Sequence, residues 1–235
     1  MTAVRQDPSG ESGPRRPSRA EKARETRHRI IEAAAQLFAD PGYASTTMDR
    51  IADASGVAVQ TVYYSFGTKG ALLCAAMDYA SAGQHDPDPV MQRGWIGRVL
   101  TAPTGGRGLA IALSNGVDIY ARAAPLWPAM RAASSDDGVV SFWDGVARGR
   151  RAGMQQIIDH FARTGALRDG LSAPKAGDIL FTLHSHESYT TLVTEAVWPL
   201  PEYKSWLYAV CAQQLLRPDA VGPLDLEGLG YAPPA

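Results

Sequence analysis

Residues 46–69 read TTMDRIADASGVAVQTVYYSFGTK and predict two short helices joined by a tight turn, the pattern of a helix-turn-helix. Thr46 and Asp49 have the spacing of a capping box, so we expect the first helix to begin at about Thr47. Gly56 should end this helix, because glycine supplies at little steric cost the positive φ that a sharp turn requires. The stretch therefore predicts a compact corner of two helices around an apolar interior.

The second helix is expected at about residues 58–66, where a period of 3.6 residues puts Gln60 and Tyr64 opposite the apolar Val62. This outward face carries hydroxyl and amide groups and no carboxylate, and a third helix is expected to begin just after it, at Lys69. Hydroxyls, a lysine and a helix N-terminus bind phosphate, whereas Gln60 and the Tyr64 ring can reach base edges. The surface suits a DNA groove, although any small helical domain can contain such a corner.

The flanking sequence decides between these interpretations. Residues 27–77, RHRIIEAAAQLFADPGYASTTMDRIADASGVAVQTVYYSFGTKGALLCAAM, closely resemble the N-terminal domain of TetR-family transcriptional regulators. The resemblance covers the first helix ending in AAAQLFADPGY, the TTMDRIA opening, the SGV turn, TVYYSF in the recognition helix and TKGALL after it. Two positions depart from the family: Ala58 replaces a frequent capping serine, and Gly70 replaces a frequent glutamate. The missing cap costs about 1 kcal/mol, so we expect the recognition helix to fray.

The resemblance implies a role for each matching position. The implied base-edge contacts are Val59, Gln60 and Tyr64. The implied phosphate contacts are Thr47, Thr61, Tyr63, Ser65 and Lys69. It also implies a homodimer that binds a palindromic operator in double-stranded DNA, most often as a repressor.

Composition and helical periodicity predict four regions and an all-α fold class. Residues 1–18 are rich in Pro, Gly, Ser and Arg and are expected to be a disordered arm. Residues 19–83 are expected to be the helix-turn-helix DNA-binding domain, beginning at a capping box of Ser18 and Glu21. The next region, residues 84–217, is expected to be all-helical, and the family resemblance implies that it is the regulatory, ligand-binding and dimerisation domain. Residues 218–235 are expected to be a flexible tail. The predicted helices of the helical domain span about residues 89–102, 106–123, 125–133, 138–164, 174–197 and 201–217.

The last two predicted helices are long and apolar, and a short proline-containing turn joins them. Such a pair either completes the core of the protomer or packs against a second copy in a four-helix bundle. The family resemblance favours the homodimer. The residues expected at its interface are Leu183, Leu192, Tyr203, Trp206, Leu207 and Val210.

Large aromatic and ionisable side chains also lie on the middle helices of the helical domain. They either wall an apolar pocket with a few polar anchors, which would accept a small apolar effector, or form a tightly packed core. The expected pocket residues are Tyr120, Trp127, Trp143, His184 and Tyr189.

The charge of the chain is nearly balanced, with a net charge of −1 over 235 residues. Residues 1–30 carry eight Lys or Arg against four Asp or Glu, which is typical of a DNA-binding protein that depends on local contacts. The two cysteines have no metal-ligand spacing, and no apolar run has the length of a signal peptide or a membrane span. We expect a soluble, cytoplasmic and nucleoid-associated protein with no membrane partner.

Motifs for catalysis are absent from the sequence. His184 and His186 point to nearly opposite faces of a helix and cannot chelate one metal ion together. The glycine cluster at residues 105–108 follows no strand, so it does not predict a phosphate-binding loop. We therefore expect no enzymatic activity, no metal and no cofactor.

Three hypotheses follow. The first is a dimeric, ligand-responsive transcriptional regulator. The second is a dimeric DNA-binding regulator with no small-molecule ligand. The third, an enzyme that has acquired a DNA-binding domain, has no catalytic residues in its favour.

Overall fold

The computed structural model describes residues 18–83, 94–223, 226 and 228–231. These residues form helices joined by short connections, and the described ranges contain no strand beyond one antiparallel bridge between Leu167 and Leu216. The predicted all-α class is confirmed. The predicted arm at residues 1–17 and the start of the predicted helix at residues 89–93 lie outside the described ranges.

Four helices make up the N-terminal part of the chain. They are α1 (Arg19–Ala39), α2 (Met48–Ser55), α3 (Val59–Phe66) and α4 (Lys69–Ala82). Helix α1 begins at the predicted capping box, because Ser18 Oγ accepts the Glu21 N–H at 3.2 Å and the Glu21 carboxylate accepts the Ser18 N–H. All four helices contribute to one buried apolar cluster, which includes Ile30, Phe38, Ile51, Val62 and Leu72.

The capping box predicted for α2 at Thr46 is wrong by one residue. Thr47 is the N-cap, and its hydroxyl accepts the Arg50 N–H at 3.2 Å. Thr46 is instead fully buried and donates its hydroxyl to the carbonyls of Leu37 and Gly42, each at 2.8 Å. Thr46 therefore fastens the connection between α1 and α2, and this leaves the neighbouring Thr47 at the surface.

Eight further helices follow. They are α5 (Gly94–Leu100), α6 (Gly105–Ala123), α7 (Trp127–Ala132), α8 (Asp137–Arg163), α9 (Ala173–Leu183), α10 (His186–Tyr189), α11 (Leu200–Leu215) and α12 (Pro218–Val221). Helix α6 lies at the centre of this region, packs against α4, α5 and α11, and is buried along most of its length. Within the described ranges, no helix combines the length and the apolar character that a membrane crossing needs.

The single helix predicted at residues 174–197 is broken. Helix α9 ends before His184, whose φ of −89° and ψ of 74° are not helical. Ser185 then caps α10 by accepting the Ser188 N–H at 3.2 Å, and a π-helical turn, Thr190–Glu195, follows. The helix is interrupted here because the His184 carbonyl accepts hydrogen bonds from Tyr120 of α6 and Arg150 of α8. The periodicity of apolar residues does not reveal these bonds.

The predicted flexible tail at residues 218–235 is wrong for its described part. Leu229 O accepts hydrogen bonds from Ser114 Oγ at 2.6 Å and from Lys204 Nζ at 3.2 Å, and the Tyr231 hydroxyl donates to Ala110 O at 2.8 Å. Residues 224, 225, 227 and 232–235 lie outside the described ranges. The Lys204 side chain, which is 5% exposed, also pairs with Asp118 at 2.7 Å. One lysine thus joins α6, α11 and the C-terminal segment.

Replacing Lys204 with methionine should destabilise the protein by about 1–3 kcal/mol, because it removes a buried ammonium that pairs with Asp118 and donates to Ser114 Oγ and Leu229 O. Urea denaturation of the full chain measures this loss. Lys175→Met is the matched control, since Lys175 is exposed on α9. Equal free energies of unfolding for the two variants would contradict this role for Lys204.

Candidate nucleic-acid interface and internal cavity

Helix α3 presents an unusual surface for a short helix. Tyr64 is 93% exposed and Tyr63 is 52% exposed, and Gln60 lies beside them at the surface. Val59, Thr61 and Ser65 are half-buried. Exposed aromatic rings on a helix that is otherwise well packed indicate an interaction surface. The face predicted from the 3.6-residue period is the face that points to solvent.

The two ends of α3 differ in the contacts that stabilise them. No side chain caps its N-terminus at Ala58, as the missing serine predicts. At the other end, Arg27 of α1 donates to Ser65 O at 2.9 Å, and its guanidinium carbon lies 4.2 Å from the centre of the Phe66 ring. The orientation of α3 therefore depends on its contact with α1 and on the packing of Val62 in the core.

The Lys69 side chain is held by hydrogen bonds to the backbone and by a contact with an aromatic ring. Its Nζ donates to Tyr43 O at 2.9 Å and to Thr46 O at 3.0 Å, and lies 4.1 Å from the centre of the Tyr43 ring. An ammonium has three N–H donors, so one remains for a phosphate. Lys69 thereby joins the first residue of α4 to the residue before Thr47, whose exposed hydroxyl is the N-cap of α2.

The rest of the chain holds α4 at both ends. At the N-terminal end, Asp136 lies so close to Gly70 that a Cβ there would clash with its carboxylate. Asp136 also caps α8 by accepting the N–H groups of Gly138 and Val139 at 2.9 and 3.2 Å. At the C-terminal end, Arg122 of α6 donates to the carbonyls of Ala80 and Ser81. Glycine at position 70 thus has a packing reason, because a glutamate there would meet another carboxylate.

Burial is the main cause of the raised pKa values of two groups near Asp136, the Cys74 thiol and the Tyr43 hydroxyl. It raises the pKa of the Cys74 thiol to about 11, and the carboxylates of Asp78 and Asp136 add to the effect. The pKa of Tyr43 is raised by burial and then by Asp136. Both groups therefore stay protonated at neutral pH, and Cys74 is an unreactive thiol.

A cavity of about 640 Å³ lies among α4, α6, α8 and the α9–α10 connection. Four of the five predicted pocket residues line it: Tyr120, Trp127, Trp143 and His184. The fifth, Tyr189, is not part of the lining; its ring packs edge-on against Trp127 at 5.6 Å between ring centres. The structure therefore brings four of the five predicted residues to one cavity, and the fifth packs against Trp127.

The polar part of the lining centres on Arg150. Its Nη1 donates to His184 O at 2.7 Å, to Phe181 O at 3.2 Å and to the Tyr120 hydroxyl at 3.2 Å. Tyr120 donates in turn to His184 O at 3.1 Å. These bonds satisfy carbonyls at the C-terminus of α9. The sequence analysis missed Arg150, although it lies seven residues after Trp143 and so on the same face of α8.

Of the two histidines in the α9–α10 connection, His184 is buried and His186 is half-buried. The pKa of His184 is lowered to about 3 by burial and then by Arg150, so this side chain is neutral, and its buried Nε2 has no partner among the described residues. The ring of His186 stacks on Trp143 at 5.3 Å between ring centres. No group of three or more His, Cys, Asp or Glu side chains in the described ranges could hold a metal ion.

The predicted dimer residues divide into two groups. Tyr203 and Leu207 are fully buried inside the protomer, so their assignment to an interface is wrong. They face the core because they lie on the side of α11 that packs against α6 and α9. Leu183, Leu192, Trp206 and Val210 are half-buried and keep surface that another chain can cover. Next to them, Val197 is 77% exposed and has a φ of 58°, a strained value for a β-branched residue.

An exposed recognition helix, joined by α4 to a helical domain with a cavity, defines the class of helix-turn-helix regulatory proteins. The family model described as "Bacterial regulatory proteins, tetR family" matches residues 30–76. The regulator TtgW of Pseudomonas putida is 37% identical over 82 residues, which cover 32% of this chain and 59% of TtgW. The chain spans less than two thirds of the curated relatives that it matches. Its N-terminal domain is that of TetR-family transcriptional regulators, a family of DNA-binding proteins and not of enzymes.

Solved structures extend the likeness beyond the N-terminal domain. The SmeT–triclosan complex has a TM-score of 0.67 at 18% identity, covering 86% of this chain and 96% of SmeT, a protein of Stenotrophomonas maltophilia. FadR of Bacillus subtilis in complex with stearoyl-CoA has a TM-score of 0.64 at 21% identity, covering 79% of this chain and 97% of FadR. At these identities the likeness shows a common fold across both domains.

Proposed function

We propose that this protein is a ligand-responsive transcriptional repressor that binds a palindromic operator as a homodimer. One observation carries the proposal: helix α4 belongs both to the DNA-binding domain and to the wall of the cavity. Its first residue, Lys69, is bonded to the loop before α2, and Met77 and Ser81 near its other end line the cavity. A ligand in the cavity therefore touches the helix that carries the recognition helix. The proposed place of action is the cytoplasm, on the nucleoid.

The relatives support the repressor role and the response to a ligand. SmeT is described as the repressor of a multidrug efflux pump, and it was solved with triclosan bound. FadR was solved with stearoyl-CoA. Two unlike ligands on one fold agree with a cavity whose wall differs from protein to protein. We therefore propose a small-molecule effector for this chain as well.

The experiment that tests the whole proposal uses a duplex selected by the protein from a random library. Fluorescence anisotropy measures binding to that duplex, and a library of small compounds is then added to the complex. Release by a compound that also binds the protein alone supports the proposal. If no compound releases the DNA, the protein is a dimeric DNA-binding regulator without a small-molecule ligand.

The proposed base contacts are Val59, Gln60 and Tyr64, and the proposed phosphate contacts are Thr47, Thr61, Tyr63, Ser65 and Lys69. The exposure of the Gln60 and Tyr64 side chains supports their role, because neither has a competing place in the core. The N-cap hydroxyl of Thr47 and the third N–H of Lys69 lie on adjacent helix N-termini, where the backbone favours an anion.

Tyr64→Ala should reduce affinity for the selected duplex by about 1–3 kcal/mol and leave affinity for a scrambled duplex unchanged, because a base contact is lost. Binding isotherms on both duplexes at several salt concentrations measure this. Tyr63→Phe is the matched control: it removes only a hydroxyl proposed to bind phosphate and should weaken both duplexes alike. The assignment of the recognition face fails if Tyr64→Ala keeps the wild-type ratio of the two affinities.

The homodimer follows from the length of DNA that one recognition helix can read. A single helix contacts a few base pairs, so two copies on a two-fold axis are needed to select an inverted repeat. The proposed interface consists of the half-buried apolar residues at the surface of α9, α11 and their connection. They are Leu183, Leu192, Trp206 and Val210.

Trp206→Glu should convert the dimer to a monomer and abolish operator binding, because a charge without a partner is costly in an apolar interface. Light scattering at micromolar concentration measures the mass, and circular dichroism checks the fold. Val140→Glu places the same charge on α8, where Val140 is 44% exposed, and should leave the dimer intact. A monomeric wild-type protein would refute the proposed assembly.

The proposed switch is a movement of α4 between its two points of attachment. For a ligand to release DNA a hundredfold, it must favour the DNA-incompetent arrangement by about 2.7 kcal/mol. By linkage, operator DNA weakens ligand binding by the same factor. Loss of the hydrogen bonds from Arg122 to the end of α4 is of that order.

Gly70→Ala tests the first attachment. The new Cβ should displace the Asp136 carboxylate and weaken operator binding, with a loss of stability of about 1–3 kcal/mol from overpacking. Adding Asp136→Ser shortens the opposing side chain, keeps a capping hydroxyl and should restore much of the loss. Isotherms and urea denaturation of the two single variants and the double variant give the coupling energy. Strictly additive effects would show that the contact does not couple the domains.

A further inference from the structure

Arg150 is the one cationic side chain among the described residues that line the cavity, apart from the two histidines. From its surroundings we infer that the effector is an aromatic acid, a ring system whose carboxylate pairs with Arg150. This inference rests on the proposed function and specifies the ligand of the same cavity.

The hydrogen bonds of Arg150 leave much of its guanidinium unused. All three of its bonds start from Nη1, so Nη2 and Nε have no acceptor among the described residues. Those residues also provide no carboxylate within ion-pair distance of Arg150. Three N–H groups in a planar fork remain, and a fork of this shape matches the two oxygens of a carboxylate.

A ligand that fills the cavity changes the solvation of the Arg150 guanidinium. Arg150 is half-buried and lines a cavity with mainly apolar walls. A bound ligand removes water from its free N–H groups, and an uncharged apolar ligand offers nothing in exchange. Among the described residues, the negative charge within hydrogen-bond distance of Arg150 is the partial charge of the α9 C-terminus, through the carbonyls of Phe181 and His184. A carboxylate on the ligand completes the pairing.

The walls of the cavity favour a ring system over a flexible chain. Six aromatic side chains contribute to the lining: Trp95, Tyr120, Trp127, Phe142, Trp143 and Phe181. The Arg150 guanidinium itself stacks on Phe181, with 3.7 Å from Cζ to the ring centre. Rings on several sides of a cavity offer edge-to-face and stacked contacts to a flat ligand. Phe181 thus sets the guanidinium beside the space that the ligand's ring would occupy.

Acidic groups also line the cavity, and they oppose an anion only weakly. Asp144 and Glu187 are exposed, so solvent and salt screen their charges, whereas burial of the Asp78 carboxylate raises its pKa and so disfavours its charged form. Glu187 in addition lies 3.2 Å from Nδ1 of His186. Neutral His184 adds no charge of either sign. The partly buried charge of the site is therefore that of Arg150.

The test compares ligands of one shape that differ in charge. Isothermal titration calorimetry of the full chain without DNA is carried out with anthracene-9-carboxylate, 9-anthracenemethanol and 9-aminoacridine, which are anionic, neutral and cationic. We expect the carboxylate to bind roughly ten- to a hundredfold more tightly than the alcohol, the effect of a charge-assisted hydrogen bond. Decanoate, an aliphatic acid, should bind more weakly than the aromatic acid.

Three variants assign the preference to one side chain. Arg150→Gln keeps a donor for the α9 carbonyls and should reduce the carboxylate-to-alcohol ratio to about one, whereas Arg150→Lys should keep an intermediate ratio. Arg151→Gln removes the same charge one residue along α8, where Arg151 pairs with Asp178 and lies outside the cavity lining, and should keep the wild-type ratio. Thermal unfolding checks that all three are folded.

Two sets of outcomes separate this inference from the proposed function. The inference is overturned if the alcohol, the acridine or decanoate binds the wild-type protein as tightly as anthracene-9-carboxylate, if none of them binds, or if Arg150→Gln keeps the ratio. The proposed function fails separately if a compound binds the protein but never changes its affinity for operator DNA. A tight neutral ligand that releases DNA would refute the aromatic acid and leave the regulator intact.

Discussion

One carboxylate, that of Asp136, lies where the positive ends of two helices meet, at a contact between the N-terminal helices and the helical domain. It accepts the N–H groups of Gly138 and Val139 at the start of α8 and lies against Gly70 in the first turn of α4. Each helix N-terminus carries about half a positive charge, so a single carboxylate is favourable for both. The approach requires the absence of a side chain at position 70. Glycine there is consequently a condition for the domain contact.

The C-terminal end of α4 is also held from the helical domain, in this case by a positively charged side chain. Arg122 donates to the carbonyls of Ala80 and Ser81, where the helix end is negative. Between these two attachments, Met77 and Ser81 form part of the cavity wall. A helix fixed at both ends moves as a rigid body only if one attachment changes. In the proposed switch, an event in the cavity is therefore transmitted to α3 and is not absorbed by local fraying of α4.

The sequence predicted the bounds of the four N-terminal helices nearly to the residue, because their signals are local: capping residues, a turn glycine and a 3.6-residue period. The error at Thr46 arose because either of two adjacent threonines could cap α2. Thr46 bonds to the carbonyls of Leu37 and Gly42, and this leaves Thr47 as the N-cap. The predictions for the helical domain failed where distant residues meet. Leu207 reads as an apolar residue on an amphipathic helix, and only the packing of α11 shows that it faces inward. The break at His184 likewise depends on Arg150, 34 positions away in the chain.

That break links the three parts of the proposed mechanism. The His184 carbonyl, freed from helical bonding, is held by Arg150 and Tyr120 at the cavity, and two residues later His186 stacks on Trp143. The same connection leads into the π-helical turn and then into the surface proposed for the dimer. In the proposed complex, a ligand that pairs with Arg150 changes the donor that holds the end of α9. If that surface sets the spacing of two DNA-binding domains, as proposed, a ligand in the cavity would act on DNA binding through α9 as well as through α4.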